Sequence, residues 1–245
     1  MAISGTTVIV GAYNKTDGGR AYVFTKAATG WKQVAELKGS DTVRNDGFGW
    51  SVAISGMTVV VGAALHGFSG AAYVFTKTAN GWTQVAELKG SDTADEFGFS
   101  VAVSGTTAIV GALSETKGPG SAYVFTKTAT GWTQVAELKG SDTADGDNFG
   151  SSVAIAGTVA VVGAPNHARG AGAAYVFVKT TGWRQFAELK GSDTVAGDNF
   201  GFSVAISAGV MVGAPGHAKS AGRVYVFAGP GIIAYLFAGP AIMTY

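Results

Sequence analysis

The sequence predicts an all-β fold made of repeated four-stranded antiparallel units, and three observations predict it. Ala21-Tyr-Val-Phe24 recurs at Ala72–Phe75, Ala122–Phe125 and Ala174–Phe177 and, as Val-Tyr-Val-Phe, at Val224–Phe227. The run Gly-Trp-x-Gln-x-Ala-Glu-Leu-Lys-Gly-Ser-Asp-Thr starts at Gly30, Gly81, Gly131 and Gly182. A β-branched run closing in Gly-Ala ends at Gly11, Gly62, Gly111, Gly163 and Gly213. The tyrosines Tyr22, Tyr73, Tyr123, Tyr175 and Tyr225 stand 51, 50, 52 and 50 residues apart. Five copies of one unit account for the chain, at about 1–47, 48–96, 97–148, 149–199 and 200–230.

Copy 3 shows each element in order. Val101–Ser104 and 107–111 are two β-branched runs joined by Ser104-Gly105, a tight hairpin in which glycine takes a positive φ. The run 122–127 puts Tyr123 and Phe125 on one face, and 132–139 does the same for Trp132, Gln134, Ala136 and Leu138. The period is two throughout, and no stretch keeps helical spacing for the ten or more residues a helix needs. Glu-Leu-Lys at Glu36/Lys38, Glu87/Lys89, Glu137/Lys139 and Glu188/Lys190 puts opposite charges on one side of the fourth strand, where an edge resists pairing with another molecule. A unit of about fifty residues with four antiparallel strands is a β-propeller blade, since solenoid rungs are shorter and run parallel. The expected architecture is a single repeat domain, a propeller of five blades, or a fragment of a larger propeller.

Composition narrows the function. With 245 residues, 47% hydrophobic, 13% charged and a net charge of +1, the chain has a real core and none of the charge excess of disorder. A near-neutral chain lacks the clustered Lys/Arg that displaces counterions from phosphate, so nucleic acid is not an expected partner. The absence of cysteine excludes disulfides, thiolate metal sites and Cys nucleophiles. The 38 glycines against 5 prolines fit many tight turns.

Phe-Gly precedes the first strand at Phe48-Gly49, Phe97-Gly98, Phe149-Gly150 and Phe200-Gly201, and Gly-Ala-Pro follows the second at Gly163–Pro165 and Gly213–Pro215, shortened elsewhere to Gly-Ala. This pattern resembles the FG-GAP repeat of integrin α-chain propellers and of many bacterial surface and secreted proteins. The resemblance spans residues 1–227 and implies a β-propeller at an extracellular or cell-surface location; by itself it implies no chemistry. Calcium-binding members carry their ligands between the first and second strands. Here that turn is Ser4-Gly5, Ser55-Gly56, Ser104-Gly105, Ala156-Gly157 or Ser207-Ala208-Gly209, too short for six to eight oxygen ligands. The acidic loops Asp142–Asp147 and Asp193–Asp198 lack alternate-residue spacing and read as turns.

The ends depart from the pattern. The chain opens at Met1 in a first strand without Phe-Gly and without the charged and apolar regions of a signal peptide. Copy 5 lacks the Trp-x-Gln strand, and residues 231–245 are an atypical apolar tail, read as the last blade's outer strand, a disordered end or a membrane anchor. Two Gly-Pro pairs interrupt the uncharged run from Ala228 to Tyr245, so no membrane span is expected.

Enzyme signatures are absent: no His-Glu-x-x-His, no Gly-x-Ser-x-Gly, no phosphate-cradling Gly-Lys-Ser/Thr and no dinucleotide fingerprint. No enzyme activity and no cofactor are expected. The second-to-third strand loops differ from copy to copy while the strands repeat, so specificity is expected there, on the face they share with the fourth-to-first loops. The candidate binding residues are Asn14, Lys15, His66, Phe68, Ser114, Glu115, Asn166, His167, Arg169, His217 and Lys219. Each histidine stands four residues after a glycine, with Lys15 and Glu115 at the equivalent positions of copies 1 and 3. In a closed propeller these five positions form a ring on one face, but blades hold equivalent loops apart and no second ligand recurs beside each histidine, so no metal site is expected. The tryptophans Trp31, Trp82, Trp132 and Trp183 read as packing between blades, and Trp50 as packing too. The expected function is a non-enzymatic binding or adhesion module for a protein or cell-surface partner, or else a lectin with one glycan site per blade.

Overall fold

The computed structural model describes residues 1–14, 17–91, 96–114 and 118–228. The fold class is the predicted one: all-β, in five successive antiparallel sheets of the β-propeller kind. Blade 1 holds β1 (Ala2–Ser4), β2 (Thr7–Ala12), β3 (Arg20–Ala27) and β4 (Gly30–Leu37). Blade 2 holds β5 (Phe48–Ser55), β6 (Thr58–Ala63), β7 (Ala71–Thr78) and β8 (Gly81–Leu88). Blade 3 holds β9 (Phe97–Ser104), β10 (Thr107–Ala112), β11 (Ser121–Thr128) and β12 (Gly131–Leu138). Blade 4 holds β13 (Ser152–Ala156), β14 (Val159–Ala164), β15 (Ala173–Lys179) and β16 (Trp183–Leu189). Blade 5 shows β17 (Ser203–Ile206), β18 (Val210–Ala214) and β19 (Arg223–Phe227); the strand expected from the 231–245 tail lies outside the described residues. Strands follow chain order in each sheet. Two compact units are formed, Met1–Ala112 with Tyr123–Val135, and Leu113–Ala122 with Ala136–Tyr245.

The inner hairpins turn tightly. Ser4 pairs Thr7 and Ser55 pairs Thr58, so each turn is two residues with glycine at positive φ. The fourth strands depart from plain alternation: Val23 pairs Ala35 while Phe24 pairs Gln33, Val74 pairs Ala86 while Phe75 pairs Gln84, and Val176 pairs Ala187 while Phe177 pairs Gln185. Val34, Val85 and Phe186 are therefore bulge residues, which no hydrophobic period reveals. A second departure is the pair of single helical turns, His167–Gly170 and His217–Ser220, inside the loops that follow β14 and β18.

The core lies between sheets. In the first unit, Ile9, Val23 and Leu37 of blade 1 meet Phe48, Val59, Val61 and Tyr73 of blade 2, and Val60 and Val74 of blade 2 meet Phe97, Val110 and Tyr123 of blade 3. In the second unit, Val161 and Val176 of blade 4 meet Phe200 and Val212 of blade 5. Trp82 and Trp132 pack against these interblade clusters, as the sequence predicts, while Trp31 stays half exposed.

The Phe-Gly and Gly-Ala positions explain themselves at the seam. Phe48, Phe97, Phe149 and Phe200 are buried, each ring 5.2–5.5 Å from the tyrosine and 6.0–6.1 Å from the phenylalanine of its own blade's third strand. The next glycine lies against the preceding blade's backbone: a Cβ on Gly49 (φ +93) would sit 2.3 Å from Arg20 O, and one on Gly62 would sit 1.9 Å from Gly98 O. Only glycine lets the two backbones approach this closely. Serines stitch the same seam, Ser51 Oγ donating to Gly98 O at 2.7 Å and Ser152 Oγ to Gly201 O at 2.7 Å. Gln84 and Gln185 clamp the loop before their blade, each accepting from the backbone N–H of Ser40 or Ser141 at 2.9 Å.

Candidate functional site

The second-to-third strand loop of blade 2 brings His66 beneath the loop that precedes the blade. Asp46 in that loop is buried, accepts the Val43 backbone N–H at 2.6 Å and faces His66 Nδ1 at 2.7 Å. An ionised carboxylate only accepts, so Nδ1 carries the hydrogen and Nε2 points away from Asp46. Nε2 lies 3.6 Å from Asp41 Oδ2 and 3.9 Å from Glu87 Oε1. Asp41 Oδ1 accepts the Tyr73 hydroxyl at 2.8 Å. Burial first, and then this carboxylate, push the Tyr73 hydroxyl well above its ordinary pKa, so it stays a donor. Glu87 comes from the fourth strand of the same blade and pairs with Lys89 Nζ at 2.8 Å, which raises the Lys89 pKa.

Blade 4 repeats the arrangement. His167 Nδ1 lies 2.8 Å from Asp147 Oδ2, which also accepts the Ala144 backbone N–H at 2.8 Å. Its Nε2 lies 3.7 Å from Asp142 Oδ2 and 3.9 Å from Glu188 Oε1. Tyr175 donates to Asp142 at 2.7 Å, its hydroxyl pKa raised by burial first and Asp142 next, and Lys190 pairs with Glu188 at 2.7 Å. Blade 5 keeps half of it. His217 Nδ1 lies 2.8 Å from Asp198 and Nε2 3.8 Å from Asp193. Arg223, however, bonds Asp193 directly. The Tyr225 hydroxyl and then Arg223 hold Asp193 below the usual carboxylate range; the Val195 backbone N–H and then His217 do the same for Asp198.

These clusters correct three sequence expectations. A second potential ligand does recur beside the histidines, but it arrives from the preceding loop and the fourth strand rather than from nearby in the chain. The aspartates of the acidic loops are more than turn formers: Asp46, Asp147 and Asp198 are buried and orient the imidazoles. The glutamates of Glu-Leu-Lys are not simply edge charge, since Glu87 and Glu188 turn partly inward to the histidines while Lys89 and Lys190 stay largely exposed.

The other predicted residues scatter. His66, His167 and His217 are tucked in, with side chains 16%, 12% and 11% exposed. Asn166 donates to Gly146 O at 3.2 Å, a structural role. Arg169 and Lys219 stand in left-handed backbone inside the two helical turns. Phe68, by contrast, is fully exposed at 101%. Asn14 is exposed and Ser114 half-buried in their loops; Lys15 and Glu115 lie outside the described residues. Sequence reading missed a surface row on the same loop face: the Tyr13 and Trp50 rings lie 4.8 Å apart and the Trp50 and Phe99 rings 5.6 Å apart, with Trp50 still 38% exposed. The signal was present, because Trp50 and Phe99 both stand second after the seam phenylalanine.

Sheets of this kind, joined by glycine-on-backbone seams, define a repeat propeller. The FG-GAP repeat model matches the chain four times, at residues 31–75, 82–125, 132–177 and 183–227, and the chain belongs to that family. Each match runs from the fourth strand of one blade to the third strand of the next, so the family repeat is centred on the seam. No curated protein matches by sequence. Among solved structures, Sqt1 of Chaetomium thermophilum is 19% identical, with a TM-score of 0.58 over 96% of this chain and 55% of that one. Hydrazine synthase of Kuenenia stuttgartiensis is 14% identical, with a TM-score of 0.61 over 91% of this chain and 69% of that one. At such identities the likeness concerns the fold alone.

Proposed function

We propose that the chain is a non-enzymatic binding module of extracellular or cell-surface type that uses the long-loop face to hold a protein or cell-surface partner. The observation that carries this reading is the exposure of Phe68 at a loop tip, on the face that also holds Tyr13 and Trp50. A large aromatic left in water on a rigid frame costs solvation free energy, and such residues anchor interfaces. Membership of the FG-GAP family supports an extracellular setting, and no helix among the described residues is long and apolar enough to cross a membrane.

The row Tyr13, Trp50, Phe99 favours a second reading, a carbohydrate-binding surface on which rings stack against sugar faces. Two variants and two assays separate the readings. Cell-surface binding that survives glycosidase treatment and is lost in Phe68→Ser supports the protein partner. Saturable binding on a glycan array that is lost in Trp50→Ser supports the lectin. A chain that binds neither cells nor glycans overturns both.

A further inference from the structure

We propose that blades 2 and 4 each hold a divalent transition cation of the zinc class, bound by Asp41, His66 and Glu87 in one and by Asp142, His167 and Glu188 in the other. The imidazole is the fixed point of each cluster. Its Nδ1 hydrogen is committed to Asp46 or Asp147, so Nε2 faces two carboxylate oxygens. If Nε2 is unprotonated, its lone pair points at negative charge, and a cation between the three groups would relieve the repulsion. If Nε2 carries a proton, that proton has no carboxylate within hydrogen-bond distance, since the gaps are 3.6–3.9 Å in both blades. Two ligand atoms of a tetrahedral zinc ion, each about 2.1 Å from the metal, stand about 3.4 Å apart. The two distances from Nε2 are near that spacing, and the three ligand atoms lie within 4.8 Å of one another.

Four further features fit a metal. A carboxylate behind the ligating histidine fixes its tautomer and ring orientation, and here that carboxylate is itself buried and anchored to backbone. Tyr73 and Tyr175 occupy the far oxygens of Asp41 and Asp142, which leaves the Oδ2 atoms for the ion. Glu87 Oε1 and Glu188 Oε1 are shut off from bulk solvent, are reached by a lysine ammonium at 2.8 or 2.7 Å, and face Nε2 at 3.9 Å. Finally, the constellation occurs twice with matching distances, although its three residues come from three separate segments each time. One imidazole and two carboxylates suit zinc better than calcium, which takes six to eight oxygens. Three protein ligands leave a fourth position for water or an incoming side chain; beside the blade 2 histidine lies a hollow lined by His66, Phe68, Lys89 and Phe97.

The test measures zinc on the full chain by equilibrium dialysis and elemental analysis, with circular dichroism to confirm folding. Two zinc ions per chain are expected, with calcium failing to displace them. Glu87→Gln and Glu188→Gln keep the shape of the side chain and should each weaken one site at least tenfold; the double variant should weaken both while its dichroism is unchanged. His66→Ala with His167→Ala should abolish binding. The inference is overturned if the wild-type chain retains no zinc, or if it binds zinc equally well after the paired Glu→Gln substitutions. It stands or falls separately from the binding reading above, because no partner enters the measurement.

Discussion

Blades 2 and 4 turn a histidine toward an aspartate and a glutamate, whereas blades 1 and 3, built on the same strands, do not. The difference traces to two positions per copy. One is the fourth residue after the Gly of Gly-Ala, which is His66 and His167 in blades 2 and 4. The other is the residue that opens the third strand. Arg20 stands there in blade 1 and binds Glu36 at 2.7 Å, and Ser121 stands there in blade 3 and donates to Glu137 at 2.9 Å. In blades 2 and 4 the position is Ala71 or Ala173, which has no polar group to offer. The glutamate then has no partner from the third strand and, beside its lysine, faces the histidine. A repeat protein thus varies its chemistry without touching its seams, since the groups that meet lie in loops and at strand ends.

If the frame really is common, damage to it must not depend on the blade. Gly62→Ala would place a methyl 1.9 Å from Gly98 O, and Gly163→Ala would place one 1.9 Å from Gly201 O. The obstructing carbonyl is backbone and cannot swing aside, and Ser51 or Ser152 Oγ stands 2.3 or 2.4 Å off, so each change should cost about 3 kcal/mol or more, with equal loss in urea denaturation. Unequal costs would mean that the seams of the two blades differ after all. Next in size come the buried carboxylates behind the histidines. Asp46→Ala and Asp147→Ala each strand a backbone N–H and an imidazole N–H, and each should lower stability by about 2 kcal/mol by the same denaturation measurement. An effect in one blade alone would break the likeness between them.

The frame was legible in the sequence and the clusters were not, for a physical reason. Tyr73, Phe48 and Trp82 recur with the copies and bury side chains whose pattern has period two, so strand number, blade number and the sense of the seam follow from spacing. The clusters assemble Asp41, His66 and Glu87, separated by 25 and 21 residues, and only the return of the chain through four strands brings them together. Read along the chain, Glu87 looks like an edge charge and Asp147 like a turn residue. A near-constant offset did carry the information: Asp46 precedes His66 by 20 residues, Asp147 precedes His167 by 20 and Asp198 precedes His217 by 19. The bulges at Val34, Val85 and Phe186 left no such trace, because the hydrophobic alternation continues across them.

Converting one blade into another sharpens the comparison at smaller cost. Ala71→Ser should give Glu87 the hydroxyl partner that Ser121 gives Glu137, with a stability change under about 1 kcal/mol. If the two zinc sites proposed above exist, this variant should weaken the blade 2 site about tenfold, about 1.4 kcal/mol, and leave the blade 4 site intact in a dialysis isotherm. Equal weakening of both sites, or of neither, would show that the residue opening the third strand does not set the glutamate's partner.

The smallest contrast is within the histidine pair itself. Both loops pass through left-handed backbone directly after the histidine, at Gly67 (φ +59) in blade 2 and at Ala168 (φ 50) in blade 4. A Cβ at Gly67 would meet nothing within 4 Å, so the only penalty of a side chain there is conformational. Left-handed backbone disfavours an L-residue by about 1 kcal/mol. Gly67→Ala should therefore destabilise the chain by about that amount, and Ala168→Gly should stabilise it by a similar one, opposite shifts in the urea midpoint at equal slope. Shifts of the same sign would mean that packing around the histidines, rather than the backbone beside them, governs these loops.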